Sequence, residues 1–376
     1  MTNETDALWA FIVDIRSGAV VHKNVPFAGL PRTGKRINTE GPLQITIPMT
    51  ASFDRDDMTP FLNPWRYGFG VAFGAEIIQC GPITDYPEYD PDGENWSFDC
   101  GGMWLLFNKK RFLVFSRDYR GSSRHDVVVR LLTDDLAQIN GDLPIDIPGL
   151  DNLGGVGGFY PWGKFTAIGE IIKDQTDDRD GVEVDFRPYF TDGHRRDTVR
   201  WRCDIGAPYL GRQDRAHEWV ANRTLVSAQP IGGGSRIADL YIVPGQSSGD
   251  VFLFGVADPA YNEAIALAAQ GWPLLMDLDT THTSISDQAT LTGFADGNFS
   301  AFHNGYRLVK GRVRLNPRQG DGPRLAEWNL GDLGRFQVRG YIGVPDGVYY
   351  CRVIGAELAT LEELELELQL VSEVLT

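Results

Sequence analysis

The stretch from Gly68 to Arg111 restricts the fold of this chain more than any other part of the sequence. Its short apolar runs are separated by a Gly-Pro break and by an Asp/Gly turn, so it predicts three consecutive strands. The third strand, at residues 96–100, is followed by Gly101, Gly102 and the apolar segment 103–107. No catalytic group is arranged along this stretch, which predicts β-structure and indicates no chemistry.

The first 118 residues as a whole are predicted to be almost entirely β-structure. Residues 8–15 and 20–27 are apolar and close enough in sequence to form a hairpin. Residues 44–47 alternate as a half-buried strand does. Residues 54–64 are expected to form a short helix or a loop, with Asp54 as a plausible N-cap.

The middle of the chain mixes both kinds of element. Residues 119–197 hold an apolar segment at 124–132, a glycine-rich loop at 148–163, a short helix at 165–174 and a strand at 182–190. Residues 198–257 return to β-structure, with strands expected at 198–203, 237–243 and 250–256.

The clearest predicted helix covers residues 258–270. Asp258 would be its N-cap, Pro259 lies in its first turn, and Gly271 follows its last residue. A strand is expected at 272–277. A second helix is expected at 287–294, where the hydroxyls of the preceding Thr-Ser-Ile-Ser segment could cap it.

The last segment, residues 360–371, alternates strictly. Its leucines fall on one face of an extended chain, while Glu363, Glu365, Glu367 and Gln369 fall on the other. Glutamate and leucine favour helix locally, but period two over eight residues favours a strand, and we predict a strand. Before it, strands are expected at 306–315, 336–342 and 347–354.

The order of these segments predicts a mainly β fold with an α+β insertion. Residues 1–118, 198–257 and 301–376 are β-barrel material. Residues 119–197 and 258–300 are expected to fold together as an inserted α+β layer.

The charge of the chain argues against nucleic-acid binding. Its net charge is −16 and no block of Lys and Arg occurs, although groove binding needs clustered cations. No run of 18 apolar residues exists, so a membrane span is not expected. The N-terminus lacks the basic region and the long apolar core of a secretion signal, and we expect assembly in a cytoplasm.

The cysteines and the acidic turns give no clear metal or redox site. Cys80, Cys100, Cys203 and Cys351 lack CxxC spacing and are best interpreted as buried thiols, although a Cys80–Cys100 bridge is left open. Residues 90–94 and 174–181 resemble calcium loops but lack the full alternating ligand set, so a bound cation is also left open. No cofactor is expected.

Several motifs occur in an order that resembles one family. They are the strand ending in Gly-Pro at 78–84, the strand, glycine pair and tryptophan at 96–104, and the segments 202–211, 271–275, 325–332 and 346–354. Together with the interleaved β and α+β segments, they make the chain similar to the tail hub proteins (minor tail or baseplate hub proteins) of long-tailed phages, especially those of actinobacteria. The resemblance covers nearly the whole chain.

This resemblance implies two tube-like β-barrel domains, residues 1–118 and residues 198–257 with 301–376. It also implies a homotrimeric ring of pseudo-sixfold symmetry at the tail tip of the virion. Such a ring would join the hexameric tail tube or distal tail protein rings to threefold fibre or spike proteins. Its lumen would enclose the tape-measure protein and would conduct DNA during ejection.

The same resemblance makes Glu363, Glu365 and Glu367 candidate lumen-facing acids. A plain solvated outer face is an equally good interpretation of these three residues. Many relatives continue into a lysin, spike or receptor-binding region, whereas this sequence stops at Thr376. Cell-wall cleavage is therefore expected on another protein.

One motif suggests a serine hydrolase. Residues 245–249 match G-x-S-x-G with Ser247 as nucleophile, and Asp277 or Asp279 with His282 or His303 follows in the order of α/β-hydrolases. The segment after the motif has a strand pattern, which favours a hairpin loop over a strained strand-to-helix turn. We therefore expect no enzymatic activity.

A carbohydrate-binding β-module is the other alternative. Exposed aromatic side chains would serve as stacking platforms. Most tryptophans lie in core-like strand patterns, and Trp162 and Trp219 are the two that the sequence places in loops. A structural role in a virus tail remains the favoured prediction.

Overall fold

The computed structural model describes residues 7–48, 58–90, 95–177, 181–206, 208–214, 216–230, 236–246, 252–283, 285–303, 308–318 and 321–375. Within these ranges the chain is mainly β with α+β parts, so the predicted fold class is confirmed. No helix among the described residues is long and apolar enough to cross a membrane.

The N-terminal region contains the predicted β-structure and one helix. Its strands are β1 (Leu8–Asp14), β2 (Val20–Val25), β3 (Arg32–Arg36), β4 (Pro42–Pro48), β5 (Tyr67–Phe73), β6 (Glu76–Pro82), β7 (Glu88–Asp90), β8 (Asn95–Gly101) and β9 (Arg117–Asp118). A 3-10 turn covers Thr59–Phe61, and helix α1 covers Met103–Lys109. Strands β1 and β2 form the predicted antiparallel hairpin. The predicted cap Asp54 lies outside the described residues.

The next region is mixed, as predicted. Its elements are α2 (Arg124–Leu136), β10 (Ile145–Asp146), β11 (Phe159–Tyr160), a 3-10 turn at Trp162–Lys164, α3 (Ile168–Thr176), β12 (Val184–Phe190) and β13 (Val199–Ile205). The apolar segment at 124–132 belongs to α2, whose first turn is capped by the Ser123 hydroxyl accepting from the Asp126 N–H.

The remaining elements complete the chain. They are β14 (His217–Val220), β15 (Leu225–Pro230), β16 (Leu240–Pro244), β17 (Phe254–Ala257), a 3-10 turn at Leu267–Gln270, β18 (Met276–Leu278), a 3-10 turn at Thr280–His282, α4 (Gln288–Phe302), β19 (Leu308–Arg314), a 3-10 turn at Leu325–Glu327, β20 (Leu333–Val338), β21 (Gly347–Thr360) and β22 (Glu363–Leu375).

Strands from both ends of the chain share one sheet of ten strands. Its path is β15-β19-β22-β21-β3-β4-β8-β7, and β20 and β14 branch from β21. β3 and β21 pair antiparallel over three residue pairs, from Gly34–Glu357 to Arg36–Gly355. The N-terminal and C-terminal β-structures therefore lie side by side in one continuous sheet.

Strand β1 separates two of the three apolar cores. Ala10 and Ile12 belong to a core shared with the ten-stranded sheet, which also contains Phe336 and Leu366. Phe11, whose side chain points to the opposite face of β1, belongs to a second core with α1, α2, α3, β12 and β13. A strand buried on both faces ties the α+β layer to the β-structure.

The third core defines a separate lobe, residues 236–303. Its sheet has the order β17-β16-β18, and helix α4 packs on one face of it. Residues 119–197 and residues 258–300 thus belong to different cores. Strands β16 and β17 contribute to the same core as residues 258–300. The predicted division placed those two strands in the second tube-like domain.

The predicted helix at 258–270 is wrong. Asp258 does accept a hydrogen bond from the Tyr261 N–H at 2.8 Å, but only turns follow it. Glu263 adopts a left-handed backbone conformation (φ 55°), which interrupts a helical path, and only the short 3-10 turn at Leu267–Gln270 remains. Gly271, at φ 90°, ends that turn as predicted.

Other predicted bounds also differ from the structure. The strand expected at 272–277 is reduced to β18. The second helix runs to Phe302, well past residue 294, and its cap is the Asp287 carboxylate instead of a hydroxyl. The strand predicted at 360–371 is confirmed as β22, and it continues to Leu375.

Candidate functional site: a charge-paired sheet face

The candidate site is the polar face of the ten-stranded sheet along β22. Leu364, Leu366 and Leu368 point into the first core and are buried. The intervening residues Glu363 and Glu365 therefore project from the opposite face, as the period-two pattern requires. Glu367 belongs to the same row.

A row of cations on β19 faces this acidic row. In the antiparallel register, Lys310 lies opposite Glu367, Arg312 opposite Glu365 and Arg314 opposite Glu363. The ion pairs run diagonally between the strands: Lys310 contacts Glu365, and the Arg312 Nε atom lies 4.0 Å from a Glu363 carboxylate oxygen. Cross-strand neighbours of opposite charge stabilise a sheet by a few tenths of a kcal/mol to about 1 kcal/mol each.

A second row of cations lies on the other side, on β3. Arg36 reaches across β21 to Glu367, with 2.5 Å between its Nη2 atom and the carboxylate. Arg32 pairs with Glu357 of β21 at 3.1 Å. The crossing of Arg36 over β21 takes place at Gly355, which pairs with Arg36 on one side and with Glu367 on the other.

We name this set the charge ladder; it comprises Arg32, Arg36, Lys310, Arg312, Arg314, Glu357, Glu363, Glu365 and Glu367. It contains five cations and four anions, although the whole chain carries −16. The acids singled out in the sequence are thus half-buried partners in ion pairs. Their cationic neighbours were missed because contacts over 55 residues, as from Lys310 to Glu365, or over 331 residues, as from Arg36 to Glu367, cannot be read from local spacing.

A small polar cavity adjoins the sheet where β3, β12, β13 and the loops around Gly211 and Leu330 meet. Its volume is about 350 Å³, and Lys35, Asp185 and Arg202 are among the residues that line it. Burial lowers the pKa of Lys35 to about 8 and raises the pKa of Asp185 to about 6. Lys35 also lies over the Trp328 ring, 4.7 Å from its centre.

The hydrolase motif falls between two antiparallel strands in the chain. Strands β16 and β17 are antiparallel, with Pro244 paired to Phe254, so residues 245–253 connect the two strands of a hairpin. Ser247 itself lies outside the described residues. The nucleophile elbow of a hydrolase needs a helix directly after the serine, whereas the next element among the described residues is strand β17.

The proposed triad partners have other contacts. Asp277 pairs with Arg236 at 3.1 Å, and Asp279 accepts hydrogen bonds from Thr281 and Asn298. The His282 Nε2 atom lies 3.8 Å from an Asp279 carboxylate oxygen, and its ring stacks on Phe294. Burial lowers the pKa of His282.

His303 is buried in the lobe and holds a loop. Its ring nitrogens lie 3.1 Å from the carbonyl oxygens of Ala238 and Ile265. Asp239, 3.8 Å from the same ring, accepts a hydrogen bond from the Leu267 N–H at 2.8 Å. These contacts give His303 a structural position with no open side toward a reacting group.

The two candidate sugar-stacking residues, Trp162 and Trp219, differ in their exposure to solvent. Trp162 is 51% exposed and meets Phe165 edge-on, with 5.6 Å between the ring centres. Trp219 is 0% exposed and stacks on Phe336 in the first core, so its predicted loop position is wrong. It lies on β14, a strand too short for a clear period-two signal.

The sequence suggested two acidic turns, at residues 90–94 and 174–181, as possible cation sites. Residues 91–94 of the first turn lie outside the described residues. In the second turn, at residues 174–181, burial raises the pKa of Asp174 to about 6, which disfavours the ionised form that a cation needs.

His125, Asp126 and Asp151 form a possible metal-binding group that sequence reasoning missed. Their carboxylates accept hydrogen bonds from backbone N–H groups and from Ser123, and so anchor the glycine-rich loop to α2.

The cysteines are free thiols in this structure. Burial raises the pKa of Cys80, Cys100, Cys203 and Cys351, so they are poor nucleophiles.

The fold is shared with known proteins although the sequence is not. No protein-family model matches the sequence, and no curated protein does. The 43 kDa tail protein of prophage MuSo2 from Shewanella oneidensis is similar in structure, with a TM-score of 0.52 at 10% identity over 96% of this chain and 98% of that one. The tail protein from Neisseria meningitidis MC58 is similar with a TM-score of 0.51 at 9% identity over 96% of both chains.

A chain of the half-lidded Francisella PdpA–VgrG complex also shares the fold, with a TM-score of 0.51 at 8% identity. That match covers 99% of this chain and 59% of the other. The protein thus has the fold of phage tail proteins over nearly its whole length.

Proposed function

We propose that this protein is a structural hub of a phage tail tip, in which three copies form a ring of pseudo-sixfold symmetry. The observation that supports the proposal most is the pairing of β3 with β21, which sets two β-structures side by side in each chain. Three chains would then present six such structures, the number that fits a hexameric tail tube. The fold shared with tail proteins supports the same assignment.

The partners follow from this position. On one side the ring meets the tail tube or the distal tail protein, and on the other it holds threefold fibre or spike proteins. The tape-measure protein occupies the lumen before infection, and DNA passes through it afterwards. The host of such a phage is proposed to be an actinobacterium, and the ring is assembled in the host cytoplasm.

The charge ladder is the proposed lumen surface. A strongly cationic lining would hold phosphates, and a strongly anionic one would oppose their entry. A face with five cations and four anions neither holds nor repels phosphates that lie farther away than about one Debye length. That length is roughly 8 Å at physiological salt. Four of the five cations on this face already lie within 4.0 Å of a carboxylate, for example Arg36 beside Glu367. DNA would therefore slide past without being bound.

The proposal contains no catalytic step. The serine motif lies in a hairpin connection, and the histidine and aspartates downstream of it are engaged in structural contacts. The carbohydrate-binding alternative was based on Trp162 and Trp219. Of these two residues only Trp162 is exposed and could stack on a sugar, because Trp219 is buried.

The test combines mass measurement with imaging. Light scattering on the purified protein should give the mass of three 41.7 kDa chains. Electron microscopy of intact particles should show the ring at the end of the tail tube. Absence of the protein from particles would refute the hub assignment, and an esterase activity abolished by Ser247→Ala would replace it with the hydrolase.

A further inference from the structure

The sheet of the lobe is apolar on both faces, and the described residues cover only one of them. Tyr241, Val243 and Ala257 pack against Leu291 and Phe294 on α4 and are buried. Since side chains alternate along a strand, the next residues in each strand point to the opposite face.

That opposite face, which we name the lobe face, consists of Leu240, Ile242, Phe254, Val256, Met276 and Leu278. The register places Leu240 beside Met276, and Ile242 between Val256 and Leu278. Phe254, Met276 and Leu278 are 51%, 61% and 60% exposed. None of the six belongs to the core of the lobe, which lies on the α4 side.

The lobe sheet is mixed, because β16 pairs antiparallel with β17 and parallel with β18. Sheets that leave one face to solvent normally carry polar side chains on that face, whereas the lobe face is apolar. A contiguous exposed apolar surface of this kind marks an interaction site. In the part of the chain that the structure describes, the lobe face therefore lacks a second layer, which another molecule can supply.

The charge around the lobe face restricts what that molecule is. The lobe, residues 236–303, contains eight acidic residues and a single Lys or Arg, Arg236, which is paired with Asp277. Two lobes placed face to face would repel each other, so a symmetric contact between identical lobe faces is disfavoured. The surface fits an apolar partner with a cationic rim.

The same chain carries such a surface elsewhere. We name it the aromatic patch; it consists of the exposed residues Phe112, Val114, Phe115, Phe159, Trp162 and Phe165. Two chain segments hold it together, because the Leu113 N–H donates to the Thr166 carbonyl and the Trp162 N–H donates to the Ser116 hydroxyl. Lys109, Lys110 and Lys164 directly adjoin it in sequence.

We propose that the aromatic patch of one copy docks on the lobe face of the next copy. One head-to-tail contact then covers both apolar surfaces and brings the lysines to the acidic lobe. Because the two surfaces are different, the contact repeats from copy to copy and closes where the rotation allows a ring. The proposal rests on the proposed hub for the number of copies, whereas the contact itself rests on the two surfaces.

Complementation between two variants tests the contact. Met276→Glu/Leu278→Glu removes the lobe face and leaves the patch; Phe115→Ser/Trp162→Ser removes the patch and leaves the lobe face. Each variant alone should be monomeric, with self-association weakened by about 100-fold or more. An equimolar mixture retains one intact pair of surfaces and should give a 1:1 dimer that cannot grow. Ile342→Glu/Leu361→Glu, at exposed positions outside both surfaces, should associate like the unaltered protein.

A zero-length carbodiimide crosslink on the unaltered protein provides a second readout that needs no substitution. It should join Lys109, Lys110 or Lys164 of one copy to lobe carboxylates such as Asp258 of another. Unchanged association of both variants, a mixture that stays monomeric, or an unaltered protein that is monomeric and uncrosslinked would overturn the contact.

The outcomes also separate this contact from the hub proposal. If both variants still form rings in particles, the contact is refuted and the hub stands. If the unaltered protein self-associates normally while the lobe-face variant is lost only from particles, the lobe face binds another tail protein. If the unaltered protein is absent from particles, the hub is refuted whatever the association shows.

Discussion

Gly355 occupies the point at which the side chains of Arg36 and Glu367 meet across β21. A Cβ atom placed there would lie 3.0 Å from a Glu367 carboxylate oxygen and 3.2 Å from the Arg36 Cγ atom. These contacts are tighter than most Cβ contacts, so a larger residue here would displace the Arg36 and Glu367 side chains by a few tenths of an ångström. The glycine thus matters for its size at this position, because its backbone is ordinary strand.

We predict that Gly355→Val destabilises the protein more than loss of the ion pair does. The valine forces Arg36 and Glu367 apart and displaces both side chains, at about 1–3 kcal/mol. Arg36→Gln removes only a half-exposed pair and should cost less than about 1 kcal/mol. Urea unfolding of the two variants measures the difference, and equal effects would contradict the steric argument.

Lys35 and Asp185 make a second single-residue prediction, on pH. The folded pKa of Asp185, about 6, is above its ordinary value of 3.8. The folded state therefore holds the proton more tightly, and stability falls as the pH rises from about 4 to about 6. The pKa of Lys35 is lowered from 10.5 to about 8 in the folded state. The buried ammonium therefore reduces stability fully below pH 8, and this loss becomes smaller as the pH rises from about 8 to about 10.5.

Asp185→Asn should therefore raise the free energy of unfolding at pH 7 by about 1–2 kcal/mol. The gain should disappear near pH 4, where the native carboxyl is protonated. Unfolding curves at pH 4, 5, 6 and 7 for native protein and variant provide the measurement. A variant that is less stable at pH 7 would show that attraction to Lys35 outweighs the burial of Asp185.

Strand β22 is an element that the alternation of apolar and polar residues predicts correctly. Its two faces were predicted from composition and period, and Leu364, Leu366 and Leu368 are buried as that pattern requires. The helix at 258–270 failed on equally good local signals, because the left-handed Glu263 and the ties of the loop to Asp239 and His303 are set by the lobe. Local pattern decides an element only when tertiary contacts agree with it.

Two neighbouring positions on β22 test the assignment of its faces. Leu366→Ala should cost about 2–5 kcal/mol, since the side chain is fully buried in the first core. Glu365→Ala removes a partly exposed contact with Lys310 and should cost less than about 1 kcal/mol. Similar losses at both positions in urea unfolding would contradict the alternation.

The loop before β18 provides a further test for an element. His303→Ala removes the ring that lies between the Ala238 and Ile265 carbonyls. Amide hydrogen exchange of residues 264–270 should become faster, while exchange in β21 and β22 stays unchanged. Faster exchange throughout the chain would instead indicate that the lobe and the large sheet unfold as one unit.

Across the entire chain, the sequence predicted the kinds of segment and their order better than their partnerships. The mainly β class and the interleaved α+β segments are as expected. The separate core of the lobe, the branch of β20 and β14 and the cations facing Glu363, Glu365 and Glu367 were missed. Each of these depends on contacts between residues far apart in the chain, which one sequence does not display.

The lumen assignment makes a prediction for the assembled particle. Glu365→Lys with Glu367→Lys changes the local charge by four and leaves Lys310 and Arg36 without their carboxylates. DNA ejection should become slower because the surface then attracts phosphates, and the delay should shrink at higher salt. Ejection from particles carrying Ile342→Glu is the control, and unchanged ejection kinetics of the lysine variant would remove the ladder from the lumen.

The three-residue junction between β3 and β21 also has a consequence for how the chain is made. Gly34 to Arg36 leave the ribosome about 320 residues before their partners Gly355 to Glu357. At about 5–20 residues per second, one edge of the nascent N-terminal sheet stays unpaired for roughly 16–64 seconds. Arg32, Lys35 and Arg36 lie on that waiting edge, and charges at such positions discourage pairing with other nascent chains. We therefore expect the cations that later cross to β21 and to Trp328 to protect an open strand during synthesis.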